Sequence, residues 1–406
     1  MSVSRKVVII GAGPAGLMAA EKLSAAGADI HVYDRMPSPA RKFLMAGRGG
    51  LNLTHSEPLS KFTTRYREAE EWLAPMIEEF SPEDLRGWCE GLGQETFVGT
   101  SGRVFPKAMK ASPLLRAWLQ RLGDAGVKFH FNMTWKGWDQ ESLSFVDKEG
   151  IVSTVKSDAL LLALGGASWA KLGSDAAWVS ILEDRGIKIR SFRPANCGFN
   201  IAWSPIFREK FSGTPVKSVL LKVGDDTVLG EMVITRSGIE GSAVYALSSL
   251  IRTEIEQKGK AYLFLDLKPD VSAEDLRQKM GKPKGRDSLS NHLRKAAGLS
   301  PVAVGLVQEI LHQKKGADPV VVIKNLPLVL TGSSGLERAI SSAGGIKREQ
   351  IDGQSMMLKN LSGVFVAGEM IDWEAPTGGY LLQACYSTAV RASNGILSYL
   401  GADSRT

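Results

Sequence analysis

Residues 7–34 read VVIIGAGPAGLMAAEKLSAAGADIHVYD, and the fold is decided there. Val7–Ile10 is a short apolar run, the composition of a parallel strand covered on both faces. Gly11-Ala12-Gly13-Pro14-Ala15-Gly16 follows at once, Leu17–Ala26 has helical spacing, and Gly27 supplies a left-handed stop. Ile30–Tyr33 reads as a second strand ending at Asp34. In such a strand–turn–helix–strand unit each glycine has a physical task. Gly11 permits the tight turn, Gly13 lets backbone approach a pyrophosphate, and Gly16 allows close helix–strand contact. The phosphates then face the free N–H groups of the helix start. Asp34 is placed to accept hydrogen bonds from an adenosine ribose. Pro14 and Ala15 within the turn, and Arg35 beside Asp34, complete the contacts expected here.

This motif alone leaves NAD and FAD open, and the far end of the chain decides between them. GVFVAGEMIDWEAPTGGYLLQA, residues 363–384, reads as a buried strand ending at Gly368-Glu369, a loop, and a helix from about Gly379. In a two-part FAD site a late acid reaches the ribitol hydroxyls, and the following helix points its N-terminus at the flavin pyrimidine. Its dipole there stabilises negative charge by ~0.3–1 kcal/mol. Glu369 is the ribitol candidate, and Gly368, Gly378 and Gly379 are the accompanying glycines. Tyr380, like Trp169 and Trp373, flanks these motifs as a candidate for stacking or for core packing. Neither glycine motif holds a histidine or cysteine, so the expected FAD is non-covalent.

The chain has 406 residues, 44% of them hydrophobic and 23% charged, which suits a globular protein of two or three domains. Cys89, Cys197 and Cys385 are far apart and form no CxxC pair, excluding a disulfide framework and arguing against a dithiol redox centre. Free thiols fit a reducing cytosol, so a cytoplasmic location is expected. There is no apolar run of about 18 residues, so no membrane span is expected. The net charge of +7 suits anionic ligands without implying nucleic acid.

Ser81-Pro82 and Ser112-Pro113 each read as a capping serine before proline at the first helical position. Ser142–Val146, Ile151–Val155 and Ala159–Leu164 read as a meander, and the glycine-rich, basic stretch from Arg41 to Thr54 as an ordered loop. After about Gly186 the texture changes to short β-like runs. Residues 272–315 are helical and basic, and glycine-rich β text returns beyond Leu336. The layout expected is α/β: a discontinuous nucleotide-binding domain, 1–190 with 335–406, interrupted by a β segment at 191–270 and a helical segment at 271–334.

RKFLMAGRGGLNLTH, GRVFPKAMKAS, LLALGGASW, GEMVITRSGIEGSAV, SSAGGI and AGEMIDWEAPTGGYLLQA occur in that order after GAGPAG. On these blocks the chain resembles the BaiN-like family of FAD-dependent oxidoreductases, which includes aminoacetone-oxidase-like flavoproteins. The resemblance implies a Rossmann-like FAD domain with an inserted small β-barrel and a helical part. It also implies that Arg41, Lys42 and the loop Gly47, Gly49, Gly50 to Asn52 wrap the cofactor, and that Gly165-Gly166 form a second contacting turn. Two departures stand out. Where the family commonly reads GGGRCN, this chain has Gly47-Arg48-Gly49-Gly50-Leu51-Asn52, without the cysteine. Where it commonly reads THxGxSGP, this chain has Thr235-Arg236-Ser237-Gly238-Ile239-Glu240-Gly241-Ser242, without the histidine. Arg236 and Glu240 are therefore the substrate-specificity candidates, on a loop expected to lie nearest the flavin ring.

His55, just after the cofactor loop, is the candidate proton donor; His31 reads as a strand residue, and His130, His292 and His312 as structural or exposed. No His/Cys/Asp/Glu cluster has metal-ligand spacing, so no metal is expected. Lys279, Lys282, Lys284, Arg286, Arg294 and Lys295 form a basic stretch that reads as a solvated helix face. Only one dinucleotide fingerprint exists, so NAD(P)H is expected only as a transient hydride donor in an open cleft. Three reactions fit these features. The preferred one is NAD(P)H-dependent reduction of an activated C=C or C=N bond in a small molecule. The others are an amine oxidation releasing peroxide and an FAD-dependent RNA-modifying or nucleic-acid-binding role. A nucleic-acid partner is not expected, and the oligomeric state stays open.

Overall fold

The computed structural model describes residues 5–281 and 286–403. In it β1 (Lys6–Ile10) is the middle strand of a five-stranded sheet with parallel pairing throughout. The order across the sheet is Val364–Val366, Ala159–Leu162, β1, β2 (Asp29–Asp34) and Lys128–Phe131. Val7, Val8 and Ile9 have no exposed surface, and Leu160 to Leu162 at most 3%. Such strands show no polar–apolar alternation because neither face meets water. α1 (Pro14–Ala25) starts straight after the glycine turn, with proline in its first turn, and packs along the helix Tyr380–Asp403.

The chain divides into two compact units, one running up to Arg193 and resuming at Ser341, the other spanning Pro194–Ile340. The parallel sheet belongs to the first unit. The second is built on six antiparallel strands in the order Phe199–Asn200, Gly238–Glu240, Asp226–Ile234, Pro215–Val223, Ala261–Asp266 and Leu326–Leu330. Beyond the last strand, Asn200 N donates to Gly332 O (2.8 Å) and Thr331 N to Asn200 O (3.1 Å), which joins the two outer strands into a barrel. The helix Pro301–Gln313 buries Val302, Leu306, Val307 and Ile310 in the core of this unit.

The structure departs from the sequence reading at several places. Ala159–Leu162 is no third strand of a meander; all four residues are buried between β1 and Val364–Val366. The antiparallel trio is instead Thr134–Asp139, Ser142–Val146 and Val152–Val155. Arg41–Ala46 is helical rather than loop, since glycine enters only at Gly47 and Phe43 seats the helix in the core. Ser81 caps its helix through a reciprocal pair with Asp84, but Ser112 lies inside the helix Ala111–Asp124, which starts after Lys110. Pro113 is tolerated there because the first-turn N–H groups of a helix have no intrahelical acceptor. Leu326–Leu330, from the segment read as helical, returns as a barrel strand, and the helices before it share that core.

At the edge of the parallel sheet, His31 Nε2 donates to Asp29 (3.2 Å), so Nδ1 accepts from His130 Nε2 (3.1 Å). Burial lowers the proton affinity of both rings below the usual 6.5, and Lys6 and Lys128 act in the same direction; for His31 the Asp29 bond opposes this. The unfolded chain therefore binds more protons than the folded one just below that value. This contribution to stability is complete above pH 6.5 and is lost as pH falls through the lowered folded values. The expected outcome is that His130→Phe, which keeps the ring stack on Tyr33, flattens the acid limb of melting temperature against pH below 6.5. Equal acid limbs in the two proteins would show that the pair is not the cause.

Candidate functional site

The glycine turn is closed by backbone contact. A Cβ on Gly11, at φ +108°, would lie 2.2 Å from Ala163 O, and one on Gly16 would lie 1.9 Å from Gly11 O. Gly13 differs: its φ is −83°, and a Cβ there would meet nothing within 4 Å. Packing leaves that position open, as a cradle for a ligand would be. Asp34 accepts from Ala12 N (2.7 Å) and Met36 N (2.8 Å). Burial pushes its carboxyl above the usual value, while these amides, Arg35 and Arg41 pull the other way. Arg35 pairs with Asp175 at 2.6 Å. Arg41 Nε and Ser174 Oγ are buried without a hydrogen-bond partner, and Ser174 Oγ lies beside Gly165, 3.4 Å from where a Cβ would stand. An open backbone cradle, an orphaned guanidinium nitrogen and an orphaned hydroxyl fit a dinucleotide.

The late acid is tied to the early loop. Lys42 Nζ donates to Glu369 Oε2 (2.8 Å) and to Ser168 Oγ (2.7 Å). Glu369 is only 6% exposed, and its other oxygen accepts from Ser342 N (3.0 Å). Ser342 Oγ accepts from Ala167 N (3.0 Å) and stands 2.0 Å from where a Cβ on Gly166 would be. Gly166 is thus the opening through which Ser342 joins the second glycine turn to Glu369. Gly368 brings the late strand against Ala15, whose Cβ would be 3.0 Å from one on Gly368. Ser168 and Ser342 carry no positional signal in the sequence, although both lie in the stretches LLALGGASW and SSAGGI.

The helix Tyr380–Asp403 begins beside the early loop. A Cβ on Gly379, at φ +94°, would fall 2.4 Å from Thr54 Cα, so helix and loop meet backbone to backbone. With its amide oriented by its neighbours, Asn52 accepts from Gly379 N (3.1 Å) and donates to Thr54 O (3.0 Å). Gln383 N makes the first intrahelical bond, to Gly379 O (3.0 Å), which leaves the preceding N–H groups as the helix's donor end. Gly378, at φ +135°, precedes this turn. Gly47 packs on Ala111, whose Cβ would be 2.5 Å away, while Gly49 is open. Gly50 faces Met109 and Phe105, at 2.9 and 3.7 Å from a Cβ.

Tyr380 is 4% exposed, and its hydroxyl donates to Glu57 Oε1 (2.6 Å). Its ring stacks on His55 at 5.5 Å between centroids. His55 Nδ1 accepts from Glu57 N (3.1 Å), so Nε2 donates to Ser101 O (2.9 Å), and both ring nitrogens are engaged. Trp373 is buried and donates to Gly368 O. The hairpin Thr96–Val98 and Arg103–Pro106 carries an apolar face next to Gly50, where Phe97 (38%) and Met109 (39%) are exposed.

In the second unit, Arg236 is exposed in the turn before Gly238–Glu240, and Glu240 is half-buried. Lys279, Arg286, Arg294 and Lys295 are exposed, Lys295 pairing with Asp287 at 2.9 Å; Lys282 and Lys284 lie outside the described residues. Among the described residues no group of three or more His, Cys, Asp or Glu could hold a metal ion, and no helix is long and apolar enough to cross a membrane.

A dinucleotide turn against a parallel sheet, an acid after the second strand, and a late acid followed by a helix N-terminus together define a flavoprotein with a Rossmann-like FAD-binding fold. The chain belongs to the HI0933-like Rossmann-domain family, whose profile matches residues 5–395, and is an FAD-dependent oxidoreductase. It is 22% identical over 406 residues to the 3-dehydro-bile acid Δ4,6-reductase of Clostridium scindens, covering 95% of this chain and 98% of that one. It is 25% identical over 395 residues to the ribosomal RNA dihydrouridine synthase of Escherichia coli, covering 94% and 95%. Among solved structures, a flavocytochrome c3 fumarate reductase matches with a TM-score of 0.54 at 15% identity, over 98% of this chain and 79% of that one. The 3-ketosteroid-Δ4-(5α)-dehydrogenase of Rhodococcus jostii RHA1 matches with 0.51 at 15% identity, over 98% and 97%. These two likenesses show the fold.

The contrast between the glycines is testable. Gly13→Val is expected to leave the melting temperature of the apoprotein unchanged while abolishing FAD retention, because its side chain enters the open cradle. Gly16→Ala is expected to destabilise the apoprotein itself by about 1–3 kcal/mol, the usual cost of overpacking. FAD content after gel filtration and apoprotein melting curves separate the two; normal FAD content in Gly13→Val would contradict this reading of the turn.

Proposed function

We propose that this flavoenzyme reduces an activated carbon–carbon double bond, one conjugated to a carbonyl, with NAD(P)H as a transient donor. What carries the reading is that two relatives aligned over 94–95% of the chain are both named for saturating such a ring bond, in a 3-dehydro-bile acid and in uridine. Bound FAD supplies the hydride-transfer chemistry.

In this proposal Gly11, Gly13, Pro14, Ala15, Gly16, Arg41 and Gly165 hold the pyrophosphate and Asp34 the adenosine ribose. Arg35, tied to Asp175, closes the adenosine end. Lys42 fixes Glu369 toward the ribitol, with Gly166 and Gly368 granting the close approach. Gly47, Gly49, Gly50 and Asn52 line the loop beside the flavin, and Gly378 and Gly379 lead into the helix whose free N–H groups face negative charge. The apolar face of Phe97, Phe105 and Met109 receives the substrate. Both His55 nitrogens are already engaged, so we assign the carbon-bound proton to solvent and give His55 the task of holding the hairpin through Ser101. Arg236 and Glu240 stay the proposed specificity residues. With no nucleotide domain of its own, nicotinamide has few preformed contacts to offset its lost translational freedom, and binds weakly.

A second reading places the double bond in a pyrimidine of RNA. The exposed side chains of Arg277, Lys279, Arg286 and Arg294, with a ribosomal RNA dihydrouridine synthase among the relatives, favour it. Anaerobic stopped-flow at the flavin band tests both readings. NADH or NADPH alone is expected to bleach the band slowly, saturating only at high concentration, and a cyclic enone to restore it. Restoration by a uridine-containing transcript but not by enones selects the second reading. If neither nicotinamide bleaches the band while a primary amine does, with peroxide on aeration, the enzyme is an oxidase.

A further inference from the structure

Between the early loop and the last helix lies a charged cluster that no cofactor motif accounts for. Arg65 grips Glu57 with two bonds, Nε to Oε1 (2.9 Å) and Nη2 to Oε2 (2.7 Å). The Glu57 side chain is only 8% exposed. Tyr380 Oη donates to Glu57 Oε1 (2.6 Å), and the Arg65 guanidinium lies 5.9 Å from the centre of the Tyr380 ring. Tyr66 Oη donates to the Tyr380 carbonyl (2.7 Å), while Phe62 and His55 pack on the ring at 4.7 and 5.5 Å. Tyr380 is thus fixed at ring, hydroxyl and carbonyl. It is the first residue of the helix, so its orientation sets that of the helix's free N–H groups.

Packing alone does not call for this arrangement. A phenylalanine would fill the same space, and with the Arg65 side chain 38% exposed the ion pair adds little to stability. The charges therefore have another task. We propose that the Glu57–Arg65 pair, acting through Tyr380, sets both the position and the local charge of the helix N-terminus, and so tunes the reduction potential of the flavin. Glu57, Arg65 and Tyr380 are positioning residues in this account. Burial raises the Glu57 carboxyl, but the bonds from Arg65 and Tyr380 more than offset it and leave it below the usual range. Burial and Glu57 push the Tyr380 hydroxyl well up, so it stays a donor. At neutral pH the pair is ionised and its charges cancel, leaving the helix end to act on the charge that a flavin gains on reduction.

The inference needs neither NAD(P)H nor a substrate, so it stands or falls separately from the proposed reaction. Its test is the midpoint potential of the FAD holoprotein, measured by slow enzymatic reduction against reference dyes, together with FAD affinity of the apoprotein. Glu57→Gln leaves the Arg65 cation uncancelled and is expected to raise the potential. Arg65→Gln leaves the Glu57 anion and is expected to lower it. Each change should alter the oxidised-to-reduced ratio about tenfold, or about 30 mV for a two-electron couple. The double variant Glu57→Gln/Arg65→Gln restores neutrality and is expected to return within about threefold of wild type, and it decides the matter if a single variant fails to fold. Tyr380→Phe keeps both charges, so FAD affinity should fall more than the potential moves. Single-variant shifts of the same sign, no shift in either, or a double variant displaced as far as a single one would overturn the proposal.

Discussion

A methyl group on residue 16 would stand 1.9 Å from the Gly11 carbonyl oxygen, and one on residue 11 would stand 2.2 Å from that of Ala163. Three backbone segments meet where only hydrogen fits. That contact brings α1 against β1 and the neighbouring strand Ala159–Leu162, which fixes where the helix N-terminus points. The late strand is keyed to the same turn, because Gly368 abuts Ala15. The last helix, Tyr380–Asp403, packs along α1 in turn.

The second consequence is electrostatic. Lys42, Ser168, Ser342 and Glu369 come from four separate stretches and meet in one hydrogen-bonded group. A carboxylate as buried as Glu369 is costly unless it is paired and its remaining lone pairs are satisfied. The group therefore locks the early loop, the second glycine turn and the late strand into one arrangement. The cluster of Glu57, Arg65 and Tyr380 repeats the device at the helix end.

Much of this was legible in the sequence, and what was legible was local. The run Val7–Ile10, the glycine spacing and Asp34 specify strand, turn, helix and strand within thirty-odd residues, where short-range sterics dominate. Gly379 before the last helix is local in the same sense. Pairings distant in sequence were not legible. Lys42 and Glu369 each stand out in the sequence, yet nothing in either stretch says that they bond to each other. Tyr380 could be read as a stacking ring because its partner Glu57 lies more than three hundred positions away. Ala159–Leu162 looked like a hairpin partner of its neighbours, and only the parallel sheet shows why all four residues are apolar. Ser112 before Pro113 has the same letters as Ser81 before Pro82, but only Asp84 completes a reciprocal cap.

The proposed two-part site reads the whole dinucleotide, since the Asp34 end and the Glu369 end are joined through one turn. Calorimetric titration of the apoprotein with FAD and with FMN tests this most directly. The account predicts one FAD per chain and FMN binding weaker by about a hundredfold or more, roughly 2.7 kcal/mol, because FMN lacks the adenosine half that the turn and Asp34 would hold. FMN binding as tightly as FAD would contradict it.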